Sequence, residues 1–314
     1  MNEKQIINWL LEGDIAICYQ VHRDLLGKDK RELQNRIETE GWGKQFLSKQ
    51  NSNGYWGDRF YQPKWISTHY TLLDLRNLNL NPENDIIAES IEQVIDNGKA
   101  VDGGIRLGPS TMKHSDVCVN AMFLNYAAYF LTNEKKLSSI VDSIINERMP
   151  DGGFNCRTST VGAKHSSLHT TISVLEGLNE FQKAGYSYRN KEIQSVKKSA
   201  EEFILLHQLY ISDRTGEIIS KDFLKLTYPS RWKYDILRAM DYFQYAKVKW
   251  DLRMGAALEQ ILKKRKHEGA WNMQSPHPGQ VHFIMEEAGR VSRWNTLRAL
   301  RVLKKFGEKY NETL

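Results

Sequence analysis

Apolar residues along this chain recur at helical rather than strand spacing. Around residues 85–97, Ile86, Ile87, Ile91, Val94 and Ile95 share one face, while Glu83, Asp85, Glu89, Glu92 and Asp96 fall on the other. That is the pattern of a helix buried on one side only. Over 116–131 the pattern differs: Val117, Val119, Ala121, Met122, Phe123, Leu124, Tyr126 and Ala127 leave almost no polar face, as a helix held between two layers requires. The two kinds alternate. Largely apolar helices are predicted over 68–78, 116–131, 168–181, 233–245 and 293–306, and amphipathic ones over 85–97, 134–147, 192–207 and 249–263. Residues 6–26 read as a further helix or helix pair.

Glycine turns punctuate the alternation. Gly54-Tyr55-Trp56, Gly103-Gly104-Ile105, Gly152-Gly153-Phe154, Gly216-Glu217-Ile218 and Gly269-Ala270-Trp271 recur at roughly 50 to 60 residues, a period that marks a repeat architecture. The unit is turn, loop, inner helix, outer helix. No hairpin of this kind buries its face alone, so the units must stack, as an open solenoid or a closed ring.

The turns also carry a resemblance. Gln50-Asn51-Ser52-Asn53-Gly54-Tyr55-Trp56 resembles the Gln-x(2 to 5)-Gly-x-Trp repeat of squalene and terpenoid cyclases, and Asp151-Gly152-Gly153-Phe154 resembles the turn of protein prenyltransferase β-subunits. The likeness extends over about residues 45 to 306 as repeat grammar. It implies an all-α fold, an α/α toroid (barrel) of about five to six helical hairpins with Gly-rich turns around a central cavity. One domain, 1–314, is expected, with 1–45 a helical segment completing the ring and 46–306 the repeats. If the ring closes, the turns and the inner-helix N-termini gather at one rim, where the functional mouth is expected.

Composition narrows the class. With 314 residues, 40% hydrophobic and 26% charged, the chain removes roughly three quarters of its unfolded surface on folding. Disorder, collagen-like repetition and small disulfide scaffolds are excluded. No apolar run reaches the 18 or more residues of a membrane span. The N-terminus lacks the layout of a secretion signal, and three cysteines, Cys18, Cys118 and Cys156, suit a reducing compartment. A cytoplasmic protein is expected. Residues 221–314 hold 19 Lys and Arg against 10 Asp and Glu. With no nucleic-acid motif present, this excess reads as solvated helix faces such as Lys263 to Lys266, and no nucleic-acid partner is expected.

The chemistry-bearing residues cluster at the expected rim. His69, His114, Asp116, Cys118, His165 and His169 lie at or near inner-helix starts, and His277 and His282 in the last loop. In protein prenyltransferases an Asp-x-Cys at the start of one inner helix and a His at the start of the next hold a catalytic zinc. Asp116, Cys118 and His169 match that pattern, and His69 is a candidate fourth ligand or substrate contact. Carboxylate, thiolate and imidazole are three protein ligands of a kind zinc accepts, with one position left open. The resemblance further implies that Lys113 meets a diphosphate. The family's arginine six residues before the aspartate is replaced by Ser110, which leaves Arg106 as candidate, and Tyr70 joins the aromatic substrate-binding lining. Cys156, beside Arg157, is a candidate reactive thiol. The Asp-x-Asp-Asp acid of class II terpenoid cyclases is missing from the sequence.

Three readings follow. The first is a zinc-dependent, prenyltransferase-like enzyme acting on an isoprenoid or similar apolar substrate, such as a prenyl diphosphate. The second is a metal-free carbohydrate-active α/α-barrel enzyme, which needs carboxylates or a Tyr, His and Arg set lining the cavity. The third is a non-catalytic toroid that binds an apolar ligand or a protein partner.

Overall fold

In the computed structural model, which describes residues 2–108, 111, 113–156 and 161–312, the predicted alternation becomes two concentric layers of helices. The inner layer comprises α2 (Ile15–Gln20), α5 (Thr68–Asn77), α7 (Val117–Tyr129), α9 (Leu168–Lys183), α11 (Ile236–Tyr245) and α13 (Arg293–Asn311). Around it lie α1 (Glu3–Leu11), α3 (Arg31–Arg36), α4 (Gly41–Leu47), α6 (Asp85–Gly98), α8 (Glu134–Asn146), α10 (Asn190–Leu206) and α12 (Gly255–Lys263). The inner helices from α5 to α13 pack side by side and α13 packs on α2, while α2, α5, α7, α9 and α11 each pack on an outer helix. The fold is an α/α toroid, and the described residues include no helix long and apolar enough to cross a membrane.

The ring closes through polar contacts that the repeat pattern does not contain. Arg293 Nε donates to the Trp9 carbonyl at 3.0 Å, and Lys304 Nζ donates to the carbonyls of Asp24 and Leu25, each at 2.9 Å. On its other side the N-terminal segment reaches α5, where Gln20 Nε2 donates to the Asn77 carbonyl at 3.0 Å. Residues Val21–Leu25 continue α2 as a π-helical turn, and such wide turns re-aim side chains. Here Arg23 faces the ring's centre.

Each repeat is locked by the same small set of bonds. Gly54, Gly103, Gly152 and Gly269 all have φ between +83° and +92°, a region open to glycine at little cost. The hydroxyls of Ser90, Ser139 and Ser199, on the outer helix of each unit, donate to the carbonyls of Gly54, Gly103 and Gly152. The residue two after each turn glycine donates its N–H to the inner helix: Trp56 to Thr68, Ile105 to Asn120, Phe154 to Thr171 and Trp271 to Thr296, at 2.8 to 3.1 Å. The side chains of these four residues are wholly buried. The indole N–H groups of Trp56 and Trp271 donate to the carbonyls of Phe46 and Ile261 at 2.7 Å, so these aromatics are plugs between layers rather than ligand contacts. The Gly216 unit departs: Ile218 is 47% exposed and bridges to Ile211.

Packing is tightest between α7 and α9. A Cβ on Gly177 of α9 would stand 2.3 Å from the Ala121 carbonyl oxygen of α7, so only glycine permits this approach. Near the C-terminus, β1 (Trp271–Asn272) pairs antiparallel with β2 (Val291–Ser292). The pairing ties off the loop that carries His277 and His282. Glu286, in the same loop, accepts from the Arg293 N–H at 2.7 Å and from the Ser292 hydroxyl, capping α13. That is a structural, helix-capping role.

Candidate functional site

The centre of the ring is polar. A cavity of about 130 Å³ is lined by Arg23, Arg76, Asn125, Glu176, Tyr228, Arg231, Arg238, Asp241, Tyr242, Tyr245, Arg298 and Arg301, among others. At about 30 Å³ per water in the liquid, it has room for roughly four waters. It runs from the middle of the inner helices towards their C-terminal ends. Along its lining, side-chain exposure falls from 29% at Arg23 to 6% at Arg231. The cavity therefore lies towards the end opposite the glycine turns, whereas the sequence reading places the mouth at the turns. The reason is the segment before α11, whose Tyr228, Ser230 and Arg231 fill the ring from the turn side. Tyr228 stacks on Trp294 with centroids 4.6 Å apart.

Charges in and directly behind the cavity wall alternate in sign. Arg238 grips Glu176 bidentately at 2.9 and 2.6 Å. Arg301 joins Asp241 at 2.8 Å to Asp24 at 3.0 Å, and Asp24 is also held by Arg23 at 2.6 Å. Arg298 Nε stands 3.5 Å from Asp241. Arg76 pairs with Glu180, to which Tyr245 donates at 3.0 Å. Arg231 pairs with Asp74 and holds a left-handed backbone at φ +57°, a strained conformation for a non-glycine residue that concentrates at functional sites. Burial pushes the Asp74 carboxyl up to about 6, against the pull of Arg231. Burial also raises Asp24, but Arg301 and Arg23 bring it below its ordinary value.

The pairing is incomplete. Among the lining groups, Arg76 Nε, Arg298 Nη1, Arg301 Nε and Asn125 Oδ1 are buried without a hydrogen-bond partner. A buried donor left unsatisfied costs about 1 to 3 kcal/mol, more for a charged group. Three guanidinium N–H groups and one amide oxygen around a single cavity form a set of contacts suited to an oxygen-rich ligand.

The sequence-predicted residues lie elsewhere. Asp116 is half-buried before α7 and makes no capping hydrogen bond. Burial, with Asp102 nearby, raises its carboxyl. Cys118 stands in the first turn of α7, where its interaction with Cys156 and burial raise its thiol, while the same interaction lowers that of Cys156. His169 turns away from this pair: its Nδ1 accepts from the Tyr234 N–H at 2.8 Å, and its ring packs against Phe223 and Trp232. Among the described residues, no three His, Cys, Asp or Glu side chains form a group able to hold a metal ion. These positions therefore do not fit a three-ligand zinc site in this arrangement, and no chemical step is derived through zinc.

His69 is wholly buried among Phe60, Tyr61, Tyr70 and Tyr126, with its Nδ1 3.2 Å from the Tyr126 hydroxyl, and desolvation pushes it down to about 3. Tyr70 is also buried, its hydroxyl on that of Tyr61 at 3.1 Å. Lys113 points to solvent while its carbonyl accepts from Val101. Arg106 bonds the Asn97 carbonyl at 2.7 Å, on the flank of α6. Neither lines the cavity. Ser110 and Arg157 lie outside the described residues. The rim also holds a pocket of about 190 Å³ lined by His169, Asp222, Lys233, Tyr234 and His277. Desolvation first, then the neighbouring cations, depresses His169 and His277 to about 4.

No protein-family model and no curated protein matches this sequence. Among solved structures, a polysaccharide lyase matches with 14% identity and a TM-score of 0.54, over 100% of this chain and 99% of that one. A type II terpene cyclase from Scytonema, in complex with its product merosterolic acid A, matches with 12% identity and a TM-score of 0.32, over 88% of this chain and 97% of that one. The first likeness supports the fold; the second falls too low to carry an argument.

Proposed function

We propose that this protein is a carbohydrate-active enzyme whose central cavity receives an acidic sugar residue. The observation that carries the reading is the set of buried, unpartnered groups of Arg76, Arg298, Arg301 and Asn125 around one cavity. Guanidinium groups recognise planar carboxylates through paired N–H donors, and a sugar's hydroxyls suit the remaining polar lining. An isoprenoid tail finds no comparable lining there, since the cavity walls carry six arginines. The likeness to a polysaccharide lyase agrees with this reading and suggests elimination as the reaction class. In such a step the guanidinium groups offset the uronate carboxylate charge and so acidify the adjacent C–H bond. A base then takes that proton, a C=C bond forms, and the glycosidic C–O bond breaks with protonation of the leaving oxygen. Tyr228 is the group we assign to donate that proton. It lines the cavity, and burial raises its pKa, which keeps it protonated.

The test is incubation with oligogalacturonate and oligoglucuronate, with maltotriose as the neutral control and geranylgeranyl diphosphate with zinc as the competing chemistry. Thermal stabilisation by an acidic oligosaccharide, with the ultraviolet absorbance of an unsaturated uronide, is the expected result. Tyr228→Phe should keep the stabilisation and lose the absorbance. Stabilisation by the diphosphate alone would overturn the reading in favour of the isoprenoid enzyme.

A further inference from the structure

The basic run at the end of α12 does not form a solvated helix face. Lys263, Lys264, Arg265 and Lys266 line a cleft of about 410 Å³ near the Gly269 turn, together with Lys225 and the amide side chains of Asn272 and Gln274. The cleft shares no lining residue with the central cavity. At about 30 Å³ per water it has room for roughly fourteen waters. Among the described residues its lining includes five cations and no carboxylate. Two of the cations are paired from outside it, Lys225 with Asp222 at 2.6 Å and Lys263 with Glu259 at 2.7 Å. Lys264 and Lys266 take part in no ion pair among the described residues. Cations just past a helix C-terminus are ordinary, because the helix dipole favours them. The dipole does not account for Lys225, which belongs to a distant segment fixed against β1 and α13. There the Leu226 N–H donates to Gln274 Oε1 at 2.7 Å, Asn295 Nδ2 donates to the Leu226 carbonyl at 2.7 Å, and the Thr227 hydroxyl donates to the Ser275 carbonyl at 3.1 Å. Arg265 is set as firmly, its Nε on the Gly269 carbonyl at 3.0 Å and its guanidinium 5.4 Å from the Trp271 ring centroid.

Like charges held around one hollow repel, and a bound polyanion relieves that repulsion. The amides narrow the class of polyanion. Gln274 Oε1 is occupied by the Leu226 N–H, which leaves its Nε2 to donate. Asn272 is the reverse: its Nδ2 donates to the Gly289 carbonyl at 3.0 Å, and its Oδ1 is buried without a partner. A fully ionised sulfate or carboxylate only accepts and so does nothing for Asn272 Oδ1, whereas a sugar hydroxyl both donates and accepts. We propose that this cleft is a second, non-catalytic binding site for an anionic polysaccharide. Its cations meet the sulfate or carboxylate groups along the chain, and Asn272 and Gln274 meet its hydroxyls. Four of the five cations are lysines, which act as point charges and impose no bidentate geometry on the anion.

The experiment titrates the folded full-length chain calorimetrically with dextran sulfate, whose charge is all sulfate, and with polygalacturonate, whose charge is all carboxylate. Neutral dextran is the uncharged control and duplex DNA the competing polyanion. Lys264→Gln/Lys266→Gln is compared with Lys28→Gln/Lys191→Gln, an exposed pair outside the cleft that removes the same charge. The expected result is that at least one of the two anionic polysaccharides binds at least tenfold more tightly than dextran or DNA. The cleft variant should weaken that binding at least tenfold, and the control pair less than twofold. A cleft-dependent response to dextran sulfate alone assigns the site to sulfated chains, and one to polygalacturonate alone assigns it to uronate chains. Equal losses in the two variants, or DNA bound as tightly as either polysaccharide, would overturn the proposal. Dextran sulfate carries no uronate, so its response to the cleft variant stands whether or not the central cavity takes an acidic sugar.

Discussion

At the glycine-turn end of the ring, the backbone N–H two residues after the glycine is satisfied in the same way in four repeats; at the other end, guanidinium groups from α5, α11, α13 and the segments before α11 and after α2 meet with some of their donors unpaired. Trp271 shows the first kind, with its backbone N–H on Thr296 and its indole N–H on Ile261. Arg298 shows the second, 4% exposed and facing Asp241 and Asp235, with Nη1 partnerless. The difference separates what holds the fold from what the fold is for. A repeated bond that closes on itself stabilises, whereas a buried donor without a partner carries a desolvation cost that a ligand can relieve.

The contrast can be broken at several points. The largest expected effect is at the satisfied end: Trp271→Ala removes a fully buried indole and should cost about 3 to 5 kcal/mol, read as a loss of urea midpoint. Next is the partition between cavity and turn rim. Arg231→Met leaves the Asp74 carboxylate buried alone and should cost about 3 to 5 kcal/mol, whereas adding Asp74→Asn should restore part of the loss. If the double variant is no better than the single, the pair is not the reason Arg231 is held there. Replacing Glu286 with Ala, which removes the acceptor of the Arg293 N–H while Ser292 still caps Asn295, should cost about 1 kcal/mol. The smallest effect belongs to the irregular repeat: Ile218→Ala should stay within about 0.5 kcal/mol. A large loss there would show that the fourth turn is a plug like the others.

The rim histidines add a pH dependence. His169, His277 and His282 are depressed to about 4, largely by desolvation, against an ordinary value near 6.5. Between these values the unfolded chain binds more protons, so their stabilisation is full above about 6.5 and is lost as pH falls through about 4. Urea midpoints should therefore fall over that window, and His277→Asn should flatten the slope. An unchanged slope would place the acid sensitivity elsewhere.

The ring was legible because glycine turns and helix periodicity are local signals: Gly54, Gly103, Gly152 and Gly269 stand where the backbone needs positive φ. The cavity was not legible, for a physical reason. Arg76, Glu176, Arg231, Arg298 and Arg301 are far apart in sequence and converge only when the ring closes. The cationic excess of residues 221–314 reads as solvated faces, yet Arg231, Arg238, Arg298 and Arg301 are part of it and are buried or nearly so. One signal was present: Arg298 and Arg301 stand three apart on a helix predicted to be inner, as does Arg238 among Ile236, Leu237, Ala239 and Met240. Charges on a helix between two layers must face either a partner or a cavity. At the rim, Asp116, Cys118 and His169 share a position in the repeat, while the His169 Nδ1 accepts from the Tyr234 N–H, a contact from a distant loop that local spacing does not signal.

The most direct test is calorimetric titration of the folded protein with oligogalacturonate, oligoglucuronate and maltotriose, on wild type and on Arg298→Lys, which keeps the charge but loses the planar fork. The account predicts that one acidic oligosaccharide binds at least tenfold more tightly than maltotriose and that Arg298→Lys weakens it at least tenfold. Equal affinity for acidic and neutral oligosaccharides, or acidic binding untouched by the substitution, would contradict it.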